Sequence, residues 1–418
     1  MRRPPKSNSR KLTADSQRCV SYAEAIMQSS SRIEERGWET HLGVVLQKLL
    51  KAGNQDAIDA ALEQTFRAPS GVYDALMESV EAHSESCEFE HEGVRYNGLL
   101  IAAPILAWTR YSIASGPIAA DMLNTLGAHF YAHVLAPDVR MAMSPTLFAI
   151  DQLPQTHTET FAMTQQMAQA AIKGTPPKPL TNPPETAPFL ADTRFLMAVA
   201  VAPVGAPLFR WEASLNPADR QLAQQQWEAQ VMPNISRLLP GCGVDLLLPE
   251  GYYVACRDAD KRIRPASIRA AVHFLSQTLN VVPADLQAII GGFGEETSEG
   301  RVDEYRIGFA LAANPEILYG VVWPLFGDEE EEEESIEAPI SIKALRSGVV
   351  PEQEASTPIE EILTLLRESG VMHVKRHEGC FAMESCDDCG APLYLDMDAE
   401  LVHAEMPEGV AEAPAHFH

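Results

Sequence analysis

The chain has 418 residues, 58 of them acidic and 32 basic, for a formal charge of −26. A protein that coats duplex DNA or anionic lipid needs a dominant basic surface, so the total argues against both as principal partners. With 46% hydrophobic and 22% charged residues, the composition is globular, and the length suffices for two or three domains.

The charge is unevenly placed. Asp328 to His418 carries 23 acidic and 5 basic residues, net −18, which leaves −8 for the first 327. The opposite end inverts the sign. Residues 1–15 form a basic tail with Arg2, Arg3, Lys6, Arg10 and Lys11, expected to be disordered and the one place where nucleic acid, RNA in particular, would bind. No apolar segment of signal-peptide type follows, and no window of about 20 apolar residues occurs, so a cytoplasmic protein without a membrane span is expected.

Residues 16–86 read as a helical region. Ser16–Gln28, Ser31–Ala52, Gln55–Phe66 and Pro69–Ala82 carry apolar residues at three- and four-residue spacings, broken at Gly53-Asn54 and Pro69-Ser70-Gly71. From Cys87 to Tyr96 the pattern alternates about Glu92-Gly93, which predicts a hairpin.

An internal repeat follows. Ala103-Pro104-Ile105-Leu106-Ala107-Trp108 matches Ala206-Pro207-Leu208-Phe209-Arg210-Trp211, and Pro145 with Phe148 matches Pro249 with Tyr252 at nearly the same offset. Each copy reads strand, helix, strand, helix, which makes residues 87–175 and 193–282 two mixed α/β units. The Pro-rich stretch 176–192 links them. Residues 283–327 read as a β-meander ending in Trp323-Pro324-Leu325-Phe326, the start of a third, degraded copy. Residues 328–356 form an acidic loop whose run Asp328 to Glu334 repels itself and should be solvated. Residues 357–418 hold a helix signed by Thr357, Pro358, Glu360 and Gly370, then a C-terminal module. The expected fold class is thus α/β: an N-terminal helical region, two or three repeated units and a small zinc-ribbon-like module. If the repeats pack as partners, the groove between them is the natural ligand site.

The chemistry concentrates in that module. Cys386-Asp387-Asp388-Cys389-Gly390 has the spacing at which two thiolates take one zinc ion, with a glycine for the tight turn. Leu393–Leu395 and Glu400–Val402 predict a hairpin that returns His403 to the thiols, and His416 and His418 end the chain. Cys386, Cys389, His403 and one of His416 or His418 are the expected ligands, with Cys380 or His377 as substitutes. The competing reading is a redox pair, but no helix follows Cys389, and Asp387 and Asp388 would oppose a thiolate without a cation beside it. Glu405 is the residue a catalytic zinc would recruit as general base.

Other features carry less. Cys242 sits between two glycines with no base tied to it. His129 and His133 share helical i, i+4 spacing but have packing neighbours. Gly291-Gly292-Phe293-Gly294 opens no helix, so it is no phosphate cradle. Arg257 to Arg264 reads as a charged loop before a helix, with anion binding as the sharper alternative.

The basic start, the paired α/β units and the terminal Cys-Asp-Asp-Cys-Gly-Ala-Pro-Leu-Tyr with His-Ala-Glu-Met-Pro-Glu together resemble a bacterial family, found mainly in beta-proteobacteria and defined as a domain of unknown function. The resemblance implies a cytoplasmic bacterial setting and assigns no activity, substrate or catalytic residue. With no complete catalytic constellation in the sequence, the expected function is non-enzymatic binding or regulation, through a protein partner or small ligand, on a zinc-stabilised scaffold. The alternatives are a metal-dependent hydrolase using the C-terminal ion and an RNA-associated factor acting through the basic tail.

Overall fold

Four helices build the N-terminal region: α1 (Ala14–Gln28), α2 (Arg32–Lys51), α3 (Gln55–Phe66) and α4 (Val72–Glu85). Thr13 and Ser31 cap the first two by accepting from the backbone N–H groups of Ser16 and Glu34. Their apolar stripes meet in a core holding Cys19, Leu42, Leu46, Ile58, Leu76 and Val80. The computed structural model describes residues 12–66, 71–179, 184, 186, 189–294, 301–327, 329 and 357–407. The basic residues of the tail and the acidic run other than Glu329 lie outside them, as do His416 and His418.

A seven-stranded sheet comes next, and its pairs are all antiparallel. Strands β1 (Ser86–His91) and β2 (Val94–Trp108) form a hairpin in which Glu92 and Gly93 both have positive φ, the two-residue turn whose twist suits antiparallel strands. After β2 come β3 (Gly116–Pro117), α5 (Ala120–His129), a π turn (Phe130–Val134), β4 (Arg140–Ala149) and α6 (His157–Lys173). Then follow β5 (Ala191–Pro203), α7 (Arg210–Ser214), α8 (Ala218–Leu238), β6 (Gly243–Leu246), β7 (Glu250–Gly251) and α9 (Tyr252–Leu279). β2 and β5 pair along their length; β4 borders β5, while β6 and β7 border β2. Each half thus lends a strand to the other. Alternate residues of β2 and β5 face opposite ways. One face packs on α5 and α8 through Leu126, Phe130, Trp227 and Val231. The other packs on α6 and α9 through Met167, Tyr252 and Ala259.

Three sequence readings change here. The matched hexapeptides occupy unlike elements: Ala103 to Trp108 is the second half of β2, whereas Ala206 to Trp211 is the turn after β5 and the start of α7. Arg257 to Arg264 is no loop but part of α9, where Arg257 pairs with Glu81 and the buried Arg264 donates to both carboxylate oxygens of Glu329 at 2.8 and 2.9 Å. Partners distant in sequence make this mixed charge compatible with a packed helix. Finally, the two halves do not flank a groove, because β2 and β5 are adjacent strands covered on both faces.

The remaining strands form a separate sheet in the order β10 (Asn314–Pro324), β9 (Glu304–Leu311), β8 (Leu286–Gly294), β11 (His373–Ala382), with β11 parallel to β8. This mixed sheet departs from the all-antiparallel pairing of the first sheet. The C-terminal half of α9 and α10 (Pro358–Glu368) cover one face through Ile268, Leu275, Ile362 and Leu366. The other face carries the hairpin β12 (Tyr394–Leu395) and β13 (Leu401–Val402). There two glycines let the hairpin approach the sheet: a Cβ on Gly320 would fall 1.9 Å from the Tyr394 ring, and one on Gly291 would fall 2.3 Å from Leu395. The Gly291-Gly292-Phe293-Gly294 run is thus strand, part of the face on which the C-terminal hairpin lies. No helix among the described residues is long and apolar enough to cross a membrane.

Candidate metal centre

The knuckle loop leaves β11 and returns to β12, and backbone hydrogen bonds close it on itself. Cys386 N donates to Ala391 O, and Gly390 N to Cys386 O, both at 2.8 Å. Gly390 takes a φ of +73°, which a side chain would strain. Outside the loop, Leu393 N donates to Glu384 O at 3.1 Å. The β12–β13 hairpin pairs Tyr394 with Val402 and Leu395 with Leu401, so that His403 emerges beside the loop.

Cys386 Sγ, Cys389 Sγ and a His403 ring nitrogen come within 4.8 Å of one another. Two donors on one tetrahedral zinc, with bonds of about 2.3 Å to sulfur and 2.0 Å to nitrogen, stand about 3.5–3.8 Å apart. The cluster is within a small adjustment of that spacing. The His403 ring is already turned for it: Nε2 faces Cys389 Sγ at 3.1 Å, and Nδ1 lies 3.4 Å from Glu405 Oε1. A carboxylate behind the far nitrogen of a metal-binding histidine fixes the tautomer that leaves Nε2 free to ligate. Glu405 stands on the Nδ1 side of the ring, away from the thiols. The backbone N–H groups of Cys389 and then Asp388 hold the Cys386 thiol below its ordinary range, outweighing the acidic Asp388 side chain. The peptide loop lowers the Cys386 thiol despite the neighbouring Asp388.

The alternative donors are engaged elsewhere. His377 Nε2 lies 2.8 Å from Asp396 O, and Cys380 Sγ lies 3.3 Å from Arg301 O. Among the described residues the group contains no fourth His, Cys, Asp or Glu donor.

Sequence reasoning missed what holds the knuckle in place. Arg306, on β9, is buried and stacks over the Phe293 ring at 4.4 Å. Its Nη1 donates to Glu384 O at 2.6 Å and to Leu393 O at 2.8 Å, the residues flanking the loop. Its Nε donates to Glu304 Oε1 at 2.7 Å. An arginine inside the apolar strand Tyr305-Arg306-Ile307 is the signal that marks it, since a buried charge needs partners. From β11, Lys375 Nζ donates to Met397 O, so the hairpin turn is pinned as well.

The other candidates gather no comparable site. His129 and His133 stack at 5.8 Å, with Asn234 Nδ2 3.2 Å from His129 Nε2. Cys242 is half-buried, and burial pushes its thiol up. A cleft of about 620 Å³ lies between the ends of α9 and α10, lined by residues that include Arg269, His273, Ser276 and Glu368.

Fold and site define an α/β protein with a C-terminal Cys-x-x-Cys and histidine cluster suited to a metal ion. The chain belongs to the family described as "Protein of unknown function (DUF2863)", which it matches over residues 4–417. No curated protein and no solved structure matches it.

Proposed function

We propose that Cys386, Cys389 and His403 bind a structural zinc ion and that the protein is a non-enzymatic binding or regulatory protein whose C-terminal ribbon this ion locks. The carrying observation is the convergence of the three donors with His403 Nε2 toward the thiols and Glu405 behind the ring. His416 or His418 supplies the fourth ligand. The two glycines that admit the hairpin and Arg306 support a structural role, because they tie the loop to a sheet instead of opening it toward a cleft.

The repeat fits the same reading. The order β2, α5, β4, α6 recurs as β5, α8, β6, α9, and each half lends a strand to the other, the arrangement expected of a fused, duplicated unit. This support comes from topology and not from the matched hexapeptides. Metal analysis of the full chain beside Cys386→Ser and His403→Gln tests the proposal: zinc in the parent and its loss, with stability, in both variants is the expected result.

A further inference from the structure

Where α5 runs into the π turn, two histidines share one face beside α8. His129 ends α5 and His133 lies in the π turn, both half-buried, with ring centroids 5.8 Å apart and planes 18° from parallel. On α2 and α4, by contrast, a histidine settles Nδ1 on the carbonyl four residues back: His41 on Gly37 O and His83 on Ser79 O, each at 2.7 Å. His133 does not. The π turn runs its bonds to the fifth residue back, as from Leu135 N to Phe130 O at 2.9 Å, and His133 Nδ1 is left buried with no hydrogen-bond partner. A buried polar nitrogen in that state points to a partner such as water or an ion. His129 offers the second nitrogen. Its Nε2 lies 3.2 Å from Asn234 Nδ2 on α8, and a half-turn of that amide puts Oδ1 in the same place. The turn is anchored to α8 and β4: Phe130 packs edge-on against Trp227 with centroids 4.9 Å apart, and Tyr131 OH accepts from Met141 N at 3.1 Å.

We propose that His129 and His133 chelate one divalent copper or nickel ion, with the Asn234 amide oxygen beside them as a weaker third donor. With metal–nitrogen bonds of about 2 Å, two imidazoles on one ion hold their centroids about 5–6 Å apart, which is the separation seen. Burial first, and His133 second, lower His129 from its ordinary value, so at neutral pH the ring carries no charge and has a lone pair to give. Neutral imidazole nitrogens favour the late transition metals over magnesium or calcium, and copper stands first in the order of divalent affinities. Water completes the coordination, because both rings are only half-buried. Such an ion is held more loosely than one on two thiolates and is lost on gel filtration. The site lies in the helical layer over the large sheet, whereas Cys386, Cys389 and His403 belong to the module on the second sheet. It is therefore independent of the zinc reading.

Calorimetric titration of the full chain with nickel chloride tests the proposal, nickel being chosen because copper oxidises free thiols. The parent should take up one nickel per chain at pH 7.5, with any zinc it carries retained. His129→Gln and His133→Gln should each weaken that uptake at least tenfold, since losing a ligand costs no less than losing a group that supports one. Asn234→His, which adds a third imidazole at the same place, should tighten it, so the proposal is also tested by a gain that misfolding cannot mimic. Cys386→Ser should leave nickel uptake as it is in the parent, which separates this site from the C-terminal one. Absence of saturable nickel uptake in the parent would overturn the proposal. So would uptake that is unchanged in both His129→Gln and His133→Gln, which would assign the ion to other histidines of the chain.

Discussion

Arg306→Met is the sharpest perturbation of the link between the mixed sheet and the metal centre. The arginine makes three hydrogen bonds from a buried position, two to carbonyls on either side of the knuckle and one to Glu304, and it stacks on Phe293. Methionine keeps much of the apolar contact but offers no donor. Removing one partner of a buried ion pair costs about 3–5 kcal/mol, and partial exposure of the Glu304 side chain, at 19%, places the expected loss near the lower end, about 3 kcal/mol. Because both carbonyls border the loop, zinc affinity should fall together with stability, by about tenfold or more, as when other supporting contacts of a metal site are removed. Urea unfolding followed by tryptophan fluorescence and competition with a chromophoric chelator measure the two quantities. Arg306→Lys, which keeps the charge but not the planar fork, should fall between the parent and Arg306→Met. A stability loss under 1 kcal/mol, or an unchanged affinity in Arg306→Met, would refute the reasoning.

Further outcomes follow from the same geometry. Gly320→Ala should destabilise by about 1–3 kcal/mol, since the added methyl collides with the Tyr394 ring, and should raise hydrogen exchange in β12–β13 while leaving α1–α4 unaffected. Glu405→Gln should weaken zinc binding by about 10–100-fold with little change in far-ultraviolet dichroism, and an unchanged affinity would mean that the carboxylate does not orient His403. Burial holds His157 down to about 4 against an ordinary 6.5. The unfolded chain therefore takes up the proton first: the stabilisation is full above pH 6.5 and disappears as pH falls toward 4, on the order of 3 kcal/mol. His157→Asn should flatten that slope in thermal unfolding measured from pH 7 to pH 4, and an unaltered slope would contradict it.

Local features were legible in the sequence where local physics decides them. The spacings that predict Ser16–Gln28, Ser31–Ala52 and Gln55–Phe66 correspond to α1, α2 and α3 within two residues at each end, because an amphipathic stripe declares its own period. Glu92-Gly93 declares its turn, and the knuckle and its hairpin were readable because Gly390 and the short strands sit within twenty residues of one another. What was not legible depends on distant partners. Arg257 and Arg264 looked like a solvated loop until Glu81 and Glu329 arrived from 176 and 65 residues away. The close approach of Gly291 and Gly320 to Leu395 and Tyr394 could not be read either, because the ring and the leucine come from the C-terminal hairpin. The peptide match misled because similar short sequences take the conformation their surroundings impose, strand inside β2 and turn with helix at α7.

The proposed centre has three side chains from two short elements sharing one ion. Elemental analysis of the full chain purified without chelator, beside Cys389→Ser, tests it most directly. The account predicts one zinc per chain in the parent, near-complete loss in Cys389→Ser, and a lower Tm for the parent after chelation. A parent without zinc, or a Cys389→Ser protein that keeps it in full, would contradict the account.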